Sequence, residues 1–417
     1  MTQLPLLLVN ARGAAARNAT TGLVALTLMA GAMQLAFAGQ DKTDGVVYVE
    51  SNIGTPNGNS VLAFRRGANG ELKPLSGSPF ATRGRGIFDS SLKLGPFDAD
   101  QLIVTNADKT LLFAVNGGSN TVAVFKIHPD GSLSHVDGSP FPSGGVNPVS
   151  VGVSRDTLVV VNKAMDPQQS VTSLPNYTSF HFTPDGRIDA LQLSSVPVDV
   201  NNSPSQALVS PNQRILFGAD FLGGLLQSFE IGATGALTQN TPQPLPQAAF
   251  EGSSAPRLPL GLTAHPNRPV LYVGLVTVNK LAVYTYDGSG HLSYVRSVDV
   301  SGSAPCWVRT NADGSRLYSS NTGDSSITVY DTTDPLLPKE IQKLKLNGEG
   351  SAFQLELDPR GDYLYVVTQR ASATTPIGQG NTLHALKVHP DGKLAEAGPA
   401  LQLTLPAGTR PQGLATF

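Results

Sequence analysis

The stretch LLFAVNGGSNTVAVFKIHPDGSL, residues 111–133, reads as two short apolar strands around a glycine turn, then a Pro-Asp-Gly turn and a leucine opening a third run. The same order returns in ILFGADFLGGLLQSFEIGATGAL (215–237), VLYVGLVTVNKLAVYTYDGSGHL (270–292) and RLYSSNTGDSSITVYDTTDP (316–335). Looser copies lie at 45–72, at 158–188 and at 363–394, which makes seven. Phe64, Phe125, Phe180, Phe229, Tyr284, Tyr330 and Leu386 hold equivalent places, spaced by 46 to 61 residues. A period of that length, built from β-branched runs and turns, predicts an all-β, seven-bladed β-propeller of four-stranded antiparallel blades. No unit shows the three-to-four spacing of an amphipathic helix, which excludes helical solenoids. Runs such as NTVAVFKI are apolar on both faces, as expected where each sheet packs between two others.

The first unit starts at Gly45 without the leading strand found in the other units. The chain ends on RPQGLATF, residues 410–417, which resembles that missing strand. These last residues are therefore expected to complete the first blade and close the ring, which removes exposed sheet edges.

The chain has 417 residues and a formal net charge of −2, so it offers no electrostatic reason to bind nucleic acid or an anionic membrane. Charged residues make up 14%, against roughly 25% in ordinary globular chains. With 43 glycines and 31 prolines, this composition suits many short strands joined by tight turns. Arg12 and Arg17 precede the apolar run GLVALTLMAGAMQLAFA (22–38), which ends on Ala36-Phe37-Ala38. This is the pattern of a secretory signal peptide cleaved after Ala38, with a retained membrane anchor as the competing reading. The expected organisation is thus a signal peptide at 1–38 and one propeller at 39–417, periplasmic or secreted and monomeric.

Cys306 is the only cysteine, so the fold has no internal disulfide; a small buried hydrophobe is the expected role rather than a nucleophile. His128, His265 and His389 sit in turn sequences, and no histidine has metal-ligand spacing. No nucleophile elbow, P-loop or dinucleotide fingerprint is present, so no metal or cofactor is expected.

The repeats GGSNTVAVFKIHPDGSL and APCWVRTNADGSRLYSSNTGDSSITVYD resemble the seven-bladed lactonase family, which includes propeller-type 6-phosphogluconolactonase and carboxy-muconate cyclase. The resemblance runs from Gly45 to Phe417 and shades into YVTN-type surface propellers. It implies a site on the fourth blade, where the family pattern H-P-H-Q, then A-D-L-G, stands here as Ser203-Pro204-Ser205-Gln206 and Ala219-Asp220-Phe221-Leu222. Gln206 and Asp220 match, whereas both histidines are serine. A family glutamate in the next blade falls at Leu275-Val276, and an arginine in the blade after that is Thr322.

Lactone hydrolysis needs a base to activate water and a donor for the oxyanion, and these exchanges remove the family's usual groups. Asp220 and Gln206 are the remaining candidates for catalysis. Asn116, Lys163, Trp307, Asn321, Gln354 and Arg370 are expected around the axial funnel as ligand-binding residues, with Lys163 or Arg370 as oxyanion donor, and Arg309 is expected near the same funnel. Asn116, Asp220 and Asn321 recur at one repeat position, which equally suits side chains that cap turns. Trp307 suits a ligand platform or packing between blades. Two functions follow: a lactonase-like hydrolase with a rebuilt site, or a non-catalytic propeller that binds a small molecule or a protein.

Overall fold

A computed structural model describes residues 45–87, 98–168, 170–370, 372 and 374–417. The expected signal peptide lies outside the described residues. Seven antiparallel sheets, each with a four-stranded path, are built from consecutive chain segments, except that the first takes its inner strand from Gln412–Thr416. The innermost strands are Gln412–Thr416, Ile103–Thr105, Pro148–Ser154, Leu208–Val209, Pro259–Ala264, Pro305–Thr310 and Ser351–Leu357, for blades one to seven. In four blades the outer strand breaks at a turn and resumes as a two-residue piece, such as Phe141–Pro142 beside Thr121–Val122. The one helical element among the described residues is a 3-10 turn, Gln247–Phe250.

Closure takes the expected form. The last strand pairs antiparallel with Gly45–Glu50, matching Val47 to Thr416, Tyr48 to Ala415 and Val49 to Leu414. Val46 and Phe417 exchange both backbone hydrogen bonds, at 3.1 and 2.9 Å. The first blade therefore has its inner strand from one chain end and its other strands from the start of the propeller.

The seven equivalent repeat positions all fall in third strands and all are buried. Each large side chain there contributes about 1.5–3 kcal/mol of burial, a repeated stake for every blade. Second strands such as Leu111–Asn116, Thr157–Asn162 and Val270–Leu275 are buried at every residue. They lie mid-blade with a neighbouring sheet on both faces, which accounts for their unbroken apolar runs.

The inner strands bulge in two places at glycine with positive φ. Gly261 has φ +66°, and a Cβ there would lie 2.0 Å from the Cys306 carbonyl oxygen of the next blade. Gly413 has φ +78° at the register shift of the closing strand. Side chains are excluded at these points because adjacent inner strands converge on the axis.

Candidate functional site

The two ends of the axis differ in chemistry. Inter-blade connections arrive at one end, beside the last residues of the second strands: Glu50, Asn116, Asn162, Asp220, Leu275, Asn321 and Gln369. At the other end lie the turns that join inner to second strands.

The connection end is filled by the chain itself. The link from blade one to blade two, residues 82–102, is much longer than links such as 143–147, 300–304 or 346–350. Its last residues, Asp98–Gln101, lie across the axis and bond to four other blades. Lys163 Nζ donates to the Asp98 carbonyl and pairs with its carboxylate, both at 2.8 Å, and Ser203 Oγ donates to the same carboxylate at 3.3 Å. Trp307 Nε1 and Gln354 Nε2 each donate to the Ala99 carbonyl at 2.8 Å. The Asp100 amide donates to the Ser205 carbonyl, while its carboxylate takes a two-pronged grip from Arg309 at 2.8 and 2.9 Å. Gln206 Nε2 donates to Gln101 Oε1 at 2.7 Å and to the Leu262 carbonyl at 3.0 Å, and its Oε1 accepts the Leu262 amide.

The expected funnel residues thus divide into two groups. Lys163, Gln206, Trp307, Arg309 and Gln354 meet at the axis, on Asp98–Gln101. Trp307 also packs against Phe353, ring centroids 4.5 Å apart. Asn116 and Asn321 bond inside and between blades instead. Asn116 accepts from Asn59 and Thr82 and donates to Thr121; Asn321 donates to Ser326 and Thr328. Arg370 lies at the connection end of blade seven, where Nε donates to the Thr375 carbonyl and the backbone N–H to Asn381.

Asp220 is fully buried, and Oδ1 accepts the amides of Ser203 at 2.7 Å and Gly223 at 3.0 Å. This is the geometry of a turn cap. Burial raises its pKa against those two hydrogen bonds and against Lys163. Burial also pushes the Asp98 carboxyl up and the Lys163 ammonium down, each opposed by the attraction of the other. Cys306 is buried beside Trp307, and burial pushes its thiol up to about 12.

The turn end of the axis holds an open cavity of about 300 Å³ lined by all seven blades. Apolar surface comes from Ile103, Val153, Leu208, Val209 and Leu414. Its charged groups are Lys109, Arg309 and Glu356. Arg309 Nε donates to Glu356 at 3.0 Å, and Lys109 Nζ donates to the Thr416 carbonyl at 2.8 Å. Burial lowers the Lys109 pKa, opposed by Glu356 and Asp358. Lys109 has three donor protons and gives one to Thr416; Arg309 has five and gives four to Glu356, Asp100 and Val308, so donors on both remain for a ligand. The group set contains a carboxylate for proton transfer and two cations for a developing oxyanion.

Sequence reasoning missed Asp98, Asp100, Lys109 and Glu356. Glu356 follows Gln354 by two residues on one inner strand, so strand alternation carried that signal. Lys109 reads locally as one charge in an Asn-Ala-Asp-Lys turn, and nothing in it announces the axis.

Residues 243–387 match the family model described as lactonase, 7-bladed beta-propeller. A curated 6-phosphogluconolactonase of Serratia proteamaculans is 21% identical over 294 residues, covering 68% of this chain and 82% of that protein. Among solved structures, the periplasmic gluconolactonase of Pseudomonas aeruginosa superposes with a TM-score of 0.64 at 15% identity, over 88% of this chain and 99% of that one. A Bacteroides fragilis protein described as a candidate 6-phosphogluconolactonase gives a TM-score of 0.67 at 15% identity, over 91% and 99%. Repeat, ring closure and these likenesses agree: the chain is a seven-bladed propeller whose likeness in sequence is to the lactonase family, with 6-phosphogluconolactonase-like relatives.

Proposed function

We propose that this chain is an exported lactonase that opens a small, unphosphorylated lactone in the cavity at the turn end of the axis. The observation that carries this reading is the meeting of Glu356, Arg309 and Lys109 in a cavity of about 300 Å³, the lower end of the size range of small-molecule pockets. Glu356 takes a proton from water, and the water oxygen attacks the lactone carbonyl carbon. Lys109 and Arg309 hold the oxygen that gains charge. Collapse breaks the ring C–O bond, and the leaving alkoxide takes the proton back from Glu356, leaving a hydroxy acid. Asp220 fits a base less well, because it is fully buried and already caps a turn.

The charge balance argues for an unphosphorylated substrate. Arg309 is offset by Asp100 and Glu356, and the remaining cation, Lys109, lies under the pull of Glu356 and Asp358. A phosphate would call for clustered, unoffset Arg and Lys. Export rests on the basic start and the apolar run ending at Ala38, in keeping with a periplasmic structural neighbour. N-terminal sequencing of the protein recovered from cells should begin at Gly39.

The test is a pH-stat panel of phosphorylated sugar, plain sugar, acyl-homoserine and muconate-type lactones. Turnover of an unphosphorylated lactone, above that of its phosphorylated counterpart, is the expected result. A second reading, a propeller that binds without catalysis, draws on the internal hydrogen bonding of Gln206, Asp220, Trp307 and Gln354. Saturable lactone binding without turnover would favour it.

A further inference from the structure

Asp98–Gln101 has the contacts of a bound ligand rather than of a link. Four blades converge on four residues: Lys163 and the Val151 amide from the third, Ser203, Ser205 and Gln206 from the fourth, Trp307 and Arg309 from the sixth, Gln354 from the seventh. Both carboxylates are received by cations, and the backbone between them by an indole and an amide. Apolar burial in the segment is limited to Ala99. Its hold therefore rests on ion pairs and hydrogen bonds. For buried ion pairs, the cost of removing charges from water nearly cancels their attraction. Such contacts specify an occupant without adding much to its stability, and segments poor in apolar contacts open below the global unfolding free energy.

We infer that Asp98–Gln101 is an intramolecular occupant of the connection end of the axis, exchangeable for a compact hydroxylated dicarboxylate that would meet Lys163, Ser203, Gln354 and Arg309. The segment's last residue, Gln101, also lines the cavity at the turn end, so displacement would change that cavity too. The inference stands whether or not the turn-end cavity hydrolyses lactones, since it rests on the contacts of the segment alone.

Hydrogen–deuterium exchange of the unmodified protein tests it, read on the amides of Asp100 and, in the second strand of blade three, which is paired on both sides and does not touch the segment, Val160 as reference. The probe is D-glucarate, with the uncharged hexitol sorbitol as control. Exchange at Asp100 at least ~10-fold faster than at Val160, accelerated further by glucarate and unchanged by sorbitol, is expected. Equal protection at the two amides with no response to glucarate would overturn the inference and make the segment a fixed structural part. A second measurement uses the Asp98→Ala/Asp100→Ala protein in calorimetric titration with glucarate. Binding at least ~10-fold tighter than in the parent is expected, because the occupant has lost both carboxylates. A folded variant with parental glucarate affinity would contradict it.

Discussion

Replacing Arg309 with leucine should expose how dry the axis is. Arg309 grips the fully buried Asp100 carboxylate with two nitrogens at 2.8 and 2.9 Å, and its own side chain is only 14% exposed. Removing the guanidinium leaves Asp100 charged, buried and with its amide still tied to Ser205. Breaking a buried pair in this way costs about 3–5 kcal/mol, a large part of a total stability of about 5–15 kcal/mol. Glu356 loses a partner too, but its side chain is 31% exposed and water can take over. With a urea dependence of about 3 kcal/mol per molar or steeper for a chain of this size, the midpoint should fall by about 1 M. A companion variant, Arg309→Leu/Asp100→Leu, replaces the pair by apolar groups and should recover most of the loss. As a control, Lys393→Ala removes the surface pair with Asp391, both about half exposed, and should cost no more than about 1 kcal/mol. The assay is equilibrium urea unfolding of all four proteins. A loss below about 1 kcal/mol for Arg309→Leu would mean that Asp100 is hydrated and the axis open, which refutes the reasoning.

Other outcomes follow from the same contacts. A chain ending before Arg410 lacks the closing strand and exposes the edge of Gly45–Glu50; it should be insoluble or melt without cooperativity, and unchanged melting would sink the closure argument. Glu50 is fully buried, accepts one hydrogen bond from Asn59, and burial raises its pKa well above the ordinary value. The folded state therefore keeps a proton that the unfolded chain gives up, so this contribution is full below the unfolded pKa and is lost as pH rises toward the folded one. Glu50→Gln should melt higher than the parent at pH 8, with the gap closing toward pH 4; a gap that grows on acidification would reverse the sign. Cys306, buried with its thiol pushed up to about 12, should resist thiol reagents in the native protein and react on unfolding. Prompt reaction of the native protein would contradict its placement.

Much of the fold was legible because a propeller writes its unit seven times. Third-strand aromatics recur at a near-constant interval, and each copy supports the others. The closing strand was readable for the same reason, since Gln412–Thr416 repeats the pattern of a leading strand in front of a chain end. The site was less legible, because the axis joins residues that no local pattern relates. Ala99 and Trp307 belong to blades two and six, and Asp98-Ala99-Asp100 reads locally as an acidic turn. Asn116, Asp220 and Asn321 share one repeat position, and sharing it reflects a common task at a strand end as readily as a common ligand. Lys109 and Glu356 meet only because the ring closes, bringing blades two and seven to either side of the first.

The central claim is that hydrolysis belongs to the turn-end cavity. The most direct measurement compares Glu356→Gln with Asp220→Asn, in a pH-stat, on the lactone the parent opens fastest. General-base help is typically worth ~10²–10⁴-fold, so Glu356→Gln should lose about that much in kcat while Asp220→Asn, if folded, stays within a few-fold of the parent. Full activity in Glu356→Gln, with loss in a folded Asp220→Asn, would place the chemistry at the connection end and contradict the account.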